Sequence, residues 1–179
     1  MPTAAERFHH IAAKLVRAKQ HVNDLQVLHE AFIKSNPYKV ATKRDPQSRN
    51  LIYYLSSVEQ PGDNIATIVG DILQNLISAL DHLAYQLVCI GMGSNGPFRH
   101  VYFPIAGSVS EYESQKSRKI EGMRPDAIRA IDTIKPYKGG NNLLWSLSKL
   151  NNIDKHRLII KIGRASCRKE CRSRWSPYH

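Results

Sequence analysis

Apolar residues recur at a helical spacing through the first fifth of the chain. Between residues 3 and 35 they form two rows with a seven-residue period: Phe8, Leu15, Val22 and His29, and Ile11, Ala18, Leu25 and Phe32. This spacing predicts a long amphipathic helix, which Pro37 ends. Because His29 lies in one of these apolar rows, we expect its side chain to be buried in the core and held by one hydrogen bond. The alternative is that His29 binds a ligand or acts as a switch.

Two stretches with a strand-like pattern follow. Residues 38–44 alternate between two faces, and residues 51–58 are rich in β-branched and aromatic side chains. The turn-forming residues 45–48 separate them. The pattern predicts a β-hairpin. Because an isolated two-stranded hairpin is only marginally stable, we expect it to dock on the helices or to pair with another strand.

Residues 63–90 are apolar on most sides, which predicts a centrally packed helix. The helix keeps one narrow polar stripe at spacings of four, three and four, formed by Asp71, Asn75, Ser78 and His82. One interpretation of the stripe is a hydrogen-bonded seam between central helices.

The glycines after residue 90 neither follow a strand nor open a helix, so a nucleotide-binding loop is rejected. Cys89 is expected to be inert core.

Shorter elements complete the predicted domain. Residues 101–105 form an edge strand or an extended strap, because Pro104 cannot donate to a central ladder. Two short helices are predicted at 110–119 and 125–134, and a last one at 143–151 or beyond, followed by the start of a strand at 158–160. The fold class is mainly α, α+β. Two long antiparallel helices carry a β-hairpin between them, and shorter helices cover the rest.

The composition changes abruptly at residue 162. The last eighteen residues, IGRASCRKECRSRWSPYH, carry five basic residues and one acid and show no structural period. They resemble one reading frame of a sequencing adapter. That resemblance implies a non-native read-through tail at 162–179 behind a single domain, 1–161, that is truncated at its C-terminus. The alternatives are a basic tail that binds nucleic acid or anionic lipid, and a partial zinc site at Cys167, Cys171 and His179 that lacks a fourth ligand.

Composition narrows the class of protein. Lys and Arg number 26 against 15 Asp and Glu, a net charge of +11 that falls to +7 without the tail. Hydrophobic residues at 42% suffice for a core, and no apolar run approaches the roughly 20 residues of a membrane span. We expect a cytoplasmic protein with no membrane association, no cofactor and no metal. The candidate partners are RNA and a second copy of the chain, although the basic residues are scattered.

Three segments resemble the motifs of a family of uncharacterised bacterial proteins. Residues 70–88, GDILQNLISALDHLAYQLV, are similar to the family pattern G-D-x-x-x-N-L-R-S-A-L-D-H-L. Residues 151–157, NNIDKHR, are similar to its D-K-H-R motif, which precedes a strand, and Phe103-Pro104 falls where the family carries a Phe-Pro. The resemblance covers most of residues 38–161.

In the family pattern, four residues separate an Arg from a His. This spacing resembles the active-site signature of HEPN helical ribonucleases. There the His is an acid or base at a ribose 2′-hydroxyl and the Arg stabilises phosphate charge. Here the His is His82, but Ile77 occupies the Arg position. The resemblance therefore implies an RNA-directed ribonuclease of toxin or defence type with a degenerate site.

The candidate residues follow from these motifs. His82 and His156 are the candidate catalytic groups, and the candidate substrate-binding residues are Asn75, Ser78, Asp81, Asp154, Lys155 and Arg157. The alternative is a non-enzymatic interaction or structural module whose polar motifs only stabilise the helix packing. Lys155 and Arg157 near a helix C-terminus suit the helix dipole without any further role.

Overall fold

Five helices and one hairpin make up the part of the chain that the structure describes, which is residues 4–156 of a computed structural model. The elements are α1 (Ala4–Lys34), β1 (Tyr38–Arg44), β2 (Leu51–Val58), α2 (Asp63–Met92), α3 (Val109–Lys119), α4 (Pro125–Ile134) and α5 (Asn142–Asp154). The mainly α, α+β class is confirmed. The predicted strand at 158–160, Arg157 and the tail at 162–179 lie outside the described residues.

Helices α1 and α2 pack along each other and run antiparallel. Near the start of α1, the Arg7 guanidinium donates to the side-chain oxygen of Gln86 near the end of α2, at 3.3 Å. At the other end, the Glu59 amide donates to the Pro37 carbonyl at 2.8 Å. This bond closes the base of the hairpin where α1 ends and α2 begins. The two long helices with a hairpin between them are therefore as predicted.

The face of α1 that packs against α2, its inner face, contains only one of the two predicted rows. The row of Ile11, Ala18, Leu25 and Phe32 is buried or half-buried, as expected. The row predicted beside it is exposed, including Phe8, Leu15 and Val22. The row that turns inward instead is Arg7, Lys14, His21 and Leu28. Seven-residue rows flank the apolar row on both sides, so the period alone does not decide which flank meets α2.

The core histidine of α1 is consequently His21 and not His29. His21 is 8% exposed, whereas His29 lies on the exposed surface, so the prediction for His29 was wrong. The Nδ1 atom of His21 lies 3.9 Å from an Asp24 carboxylate oxygen on the same helix. The inner face of α1 thus carries three basic side chains at heptad spacing.

The main core lies against the C-terminal half of α2. Ala84 and Val88 of α2 pack with Phe103 from the connecting segment, Tyr112 from α3 and Ile131 from α4. Cys89 is buried beside them as a free thiol, as predicted. This core is where the shorter helices cover α2.

Residues 101–106 cross this core as an extended strap, the second of the two predicted forms. Phe103 and Pro104 are buried, and a single parallel bridge joins Ala106 to Tyr137.

Helix α5 begins where the Asn141 side chain accepts a hydrogen bond from the Leu144 amide at 3.1 Å. Within residues 4–156, no helix combines the length and the apolar character needed to cross a membrane.

The hairpin projects from the helices instead of docking on them. Its strands pair antiparallel, with Thr42 opposite Tyr53, and most of its side chains on both faces are exposed. A ring contact between Phe32 and Tyr38, with centroids 6.3 Å apart, ties it to the end of α1. Within the described part of the chain, the hairpin has no extensive packing against any helix. Of the two expected sources of stability for the hairpin, the first, docking on the helices, is therefore not found.

Candidate functional site

The polar stripe of α2 borders an open cavity of about 430 Å³ between α2 and the strap. Its lining combines an imidazole, a carboxylate, a hydroxyl, a phenol and an amide: Ser78, Asp81, His82, Tyr85, Gln86 and Val101. His82 is exposed at this cavity. Three of the predicted site residues, Ser78, Asp81 and His82, are thus brought together in one place.

The hydrogen bonds of the stripe stay within α2. The Asn75 amide nitrogen donates to the Asp71 carbonyl at 2.8 Å, and the Gln74 amide donates to the Ser78 hydroxyl at 3.3 Å. Among residues 4–156, His82 forms no side-chain hydrogen bond that would occupy its ring nitrogens. The imidazole is therefore accessible to a ligand in the cavity.

Asp81 has a structural contact beside the histidine. Its Oδ1 atom accepts a hydrogen bond from the Phe103 amide at 3.0 Å, which fixes the strap to α2. Burial raises the pKa of the Asp81 carboxyl, while the Phe103 bond and the charges of Lys155, His82 and Lys119 act in the opposite direction. The predicted substrate-binding residues Asp81 and Lys155 are therefore electrostatic neighbours, and Asp81 holds one wall of the cavity.

Arg7 is bonded to a residue of the cavity lining, Gln86, and the sequence prediction missed it. Gln86, which accepts its hydrogen bond, follows His82 by four residues and lies on the same face of α2. This contact holds the guanidinium at Gln86, whose position on α2 is one helical turn from that of His82. Lys14, one heptad further along α1, comes level with the turn of α2 that carries Ser78, since the helices run antiparallel. The feature of the sequence that could have indicated this contact is a row of basic residues, spaced seven apart, next to the apolar row of α1.

Ile77, at the family's arginine position, does not line the His82 cavity. It is half-buried and lies five residues before His82, which is about 140° away around the helix. An isoleucine there packs against its surroundings and offers no charge to a phosphate.

The second predicted catalytic histidine lines a different cavity. His156 borders a space of about 740 Å³ between the strap, α3 and α5, together with Glu111, Trp145 and Lys149. The ammonium groups of Lys138 and Lys149 lie 5.1 and 5.0 Å from the centre of the Trp145 ring. His82 and His156 are not brought into one site.

Asp154 marks the contact between α5 and α2. A Cβ atom on Gly70 would lie 2.9 Å from the Asp154 carboxyl carbon, so a larger residue at position 70 would require the Asp154 side chain to shift. The two residues line a third cavity, of about 350 Å³, with Asp71 and Gln74. Among residues 4–156, no three His, Cys, Asp or Glu side chains are grouped so that they could hold a metal ion.

No family model matches this chain, and neither a curated protein nor a solved structure matches it.

Proposed function

We propose that this chain is a HEPN-like, RNA-directed protein that binds a phosphodiester in the His82 cavity. One observation carries the proposal: the exposed His82 shares its cavity with Gln86, which follows it by one helical turn and accepts a hydrogen bond from the Arg7 guanidinium at 3.3 Å. An imidazole beside a positioned cation is the pair that phosphodiester chemistry at a ribose requires.

The proposed step is attack of the ribose 2′-oxygen on the adjacent phosphorus. The neutral imidazole of His82 takes the 2′-hydroxyl proton, and the 5′-oxygen leaves with a proton from water, so that a 2′,3′-cyclic phosphate forms. Arg7 would stabilise the charge on the non-bridging oxygens. Because His156 lines a separate cavity, it does not assist the leaving group at His82, and slow cleavage is expected.

Incubation of the purified protein with an end-labelled single-stranded RNA tests this function. We expect slow cleavage to products with a cyclic phosphate, and a loss of at least about a hundredfold in rate for His82→Ala. His29→Ala is the matched control, because His29 is an exposed histidine on α1 outside the cavity. Arg7→Gln should weaken RNA binding while leaving the fold intact, as measured by fluorescence anisotropy.

A second function, that of a non-enzymatic structural or interaction module, is favoured by the Asp81–Phe103 bond, which ties a polar motif to the packing of the strap. This function predicts that His82→Ala and His29→Ala behave alike toward RNA, while Asp81→Ala lowers the melting temperature. If the wild-type protein neither binds nor cleaves RNA, the ribonuclease proposal is wrong.

A further inference from the structure

The two strands of the hairpin differ sharply in charge. β1 carries Lys39, Lys43 and Arg44, whereas β2, with the sequence LIYYLSSV, has no charged residue, no proline and no glycine. Exposed edge strands in proteins are commonly protected by lysines, prolines or bulges that prevent pairing with another chain. β1 has such protection through its charges, and the first five residues of β2 have none.

The outer edge of β2 is available for pairing. Within residues 4–156 the sheet consists of β1 and β2 alone, so the second edge of β2 has no partner strand there. The regular part of β2 is short, because Lys39 is opposite Ser57 while Val40 is opposite Leu55, which leaves Ser56 as an extra residue. The Ser56 hydroxyl donates to the Lys39 carbonyl at 3.0 Å and fixes this bulge. Residues 51–55 therefore form the continuous free edge.

We propose that β2 pairs antiparallel with β2 of a second copy of this chain, about a two-fold axis at Tyr53, to form a four-stranded sheet. Pairing through β1 would place like charges opposite each other, which is unfavourable. Pairing of β1 with β2 would be heterologous and would continue into open chains of molecules. Only the β2–β2 arrangement both avoids charge and closes as a dimer.

The side chains on one face of the hairpin suit this pairing. Leu51, Tyr53 and Leu55 share a face and are 50%, 69% and 57% exposed, and Val40 beside them is 65% exposed. A two-fold axis at Tyr53 places the two Tyr53 rings opposite each other and each Leu51 opposite the other copy's Leu55. Aromatic and aliphatic cross-strand pairs of this kind stabilise antiparallel sheets. The dimer also extends the marginal two-stranded hairpin to four strands.

Sedimentation equilibrium on the full chain, over about 1 to 100 µM, tests the proposal because small interfaces bind in this range. We expect a monomer–dimer equilibrium whose dissociation constant rises at least about tenfold in Tyr53→Lys, since two like charges then face each other at the axis. Thr42→Lys is the matched control. Thr42 is the ladder partner of Tyr53 and lies on the same face, one strand further from the axis.

A cysteine pair gives an independent readout of the register. In a Cys167→Ser, Cys171→Ser background, Tyr53→Cys should form a disulfide-linked dimer under mild oxidation, because directly opposite residues in an antiparallel pair lie about 5 Å apart. Thr42→Cys should remain monomeric on the same gel. A wild-type monomer throughout the concentration range would overturn the proposal, as would a dimer that Tyr53→Lys leaves intact or that both lysine variants weaken equally.

Discussion

Asp81 illustrates how one carboxylate serves both the packing and the electrostatics of the site. It accepts the Phe103 amide that fixes the strap, and burial raises the pKa of its carboxyl above 3.8. The folded protein therefore holds the Asp81 proton more tightly than the unfolded chain does. The contribution of this group to stability is greatest below pH 3.8 and falls as the pH rises through the raised pKa.

Substitution of Asp81 separates the hydrogen bond from the charge. Asp81→Asn keeps an oxygen for the Phe103 amide and removes the buried charge. Its free energy of unfolding should therefore increase relative to that of the wild type as the pH rises above 3.8. Asp81→Ala removes the acceptor and should cost about 1–2 kcal/mol. Urea unfolding of the three proteins between pH 3 and 7 measures both effects. A constant difference between wild type and Asp81→Asn across that range would contradict the argument.

Ile77 allows a direct test of the degenerate site. Ile77→Arg should raise RNA cleavage, because a guanidinium near the scissile phosphate stabilises developing charge. The side chain must reach around the helix, since Ile77 does not line the His82 cavity, and its half-buried position predicts a modest loss of melting temperature. The measurement is the cleavage rate with a melting curve, and Ile77→Gln is the uncharged control. A collapsed fold without cleavage would show that Ile77 is simply core.

At the scale of elements, α2 and α5 depend on close approach at Gly70. A methyl group there would collide with the Asp154 carboxylate, which is the movable end of a side chain, so Gly70→Ala should fall short of the gain of about 1 kcal/mol that alanine brings over glycine in a helix interior. In the background of Asp154→Ala the same substitution should give the full gain, because the colliding group is gone. Chemical denaturation of the four proteins of the cycle measures the coupling. Additive effects would contradict a direct contact.

Local patterns predicted the elements well and their relative placement less well. The bounds of both strands and of α4 agree with the prediction, because alternation, turn residues and Pro125 at a helix start are local signals. The inner face of α1 was misassigned, since two rows of equal period flank its apolar row. Of the site, Ser78, Asp81 and His82 share the predicted helix. Arg7 was missed because its placement depends on how α1 lies against α2.

At the scale of the whole molecule, packing is uneven along α2. Its C-terminal half is covered by the strap and by α3 and α4, with Ala84 and Val88 almost fully buried. The other end carries the projecting hairpin, whose apolar side chains remain exposed. Stability is expected to follow this gradient, because regions with little buried apolar surface open at lower free energy than the core.

Hydrogen exchange measured along the chain tests this gradient and its link to assembly. Amides of α2 near Ala84 and Val88 should exchange most slowly, and those of the hairpin among the fastest in dilute protein. As the concentration rises, pairing through the free edge should protect residues 51–55 of β2 more than the charged strand β1. Amides of α3 are the internal control, because this helix lies on the core and away from the hairpin. Equal protection of both strands, or protection of β2 that does not change with concentration, would contradict assembly through β2.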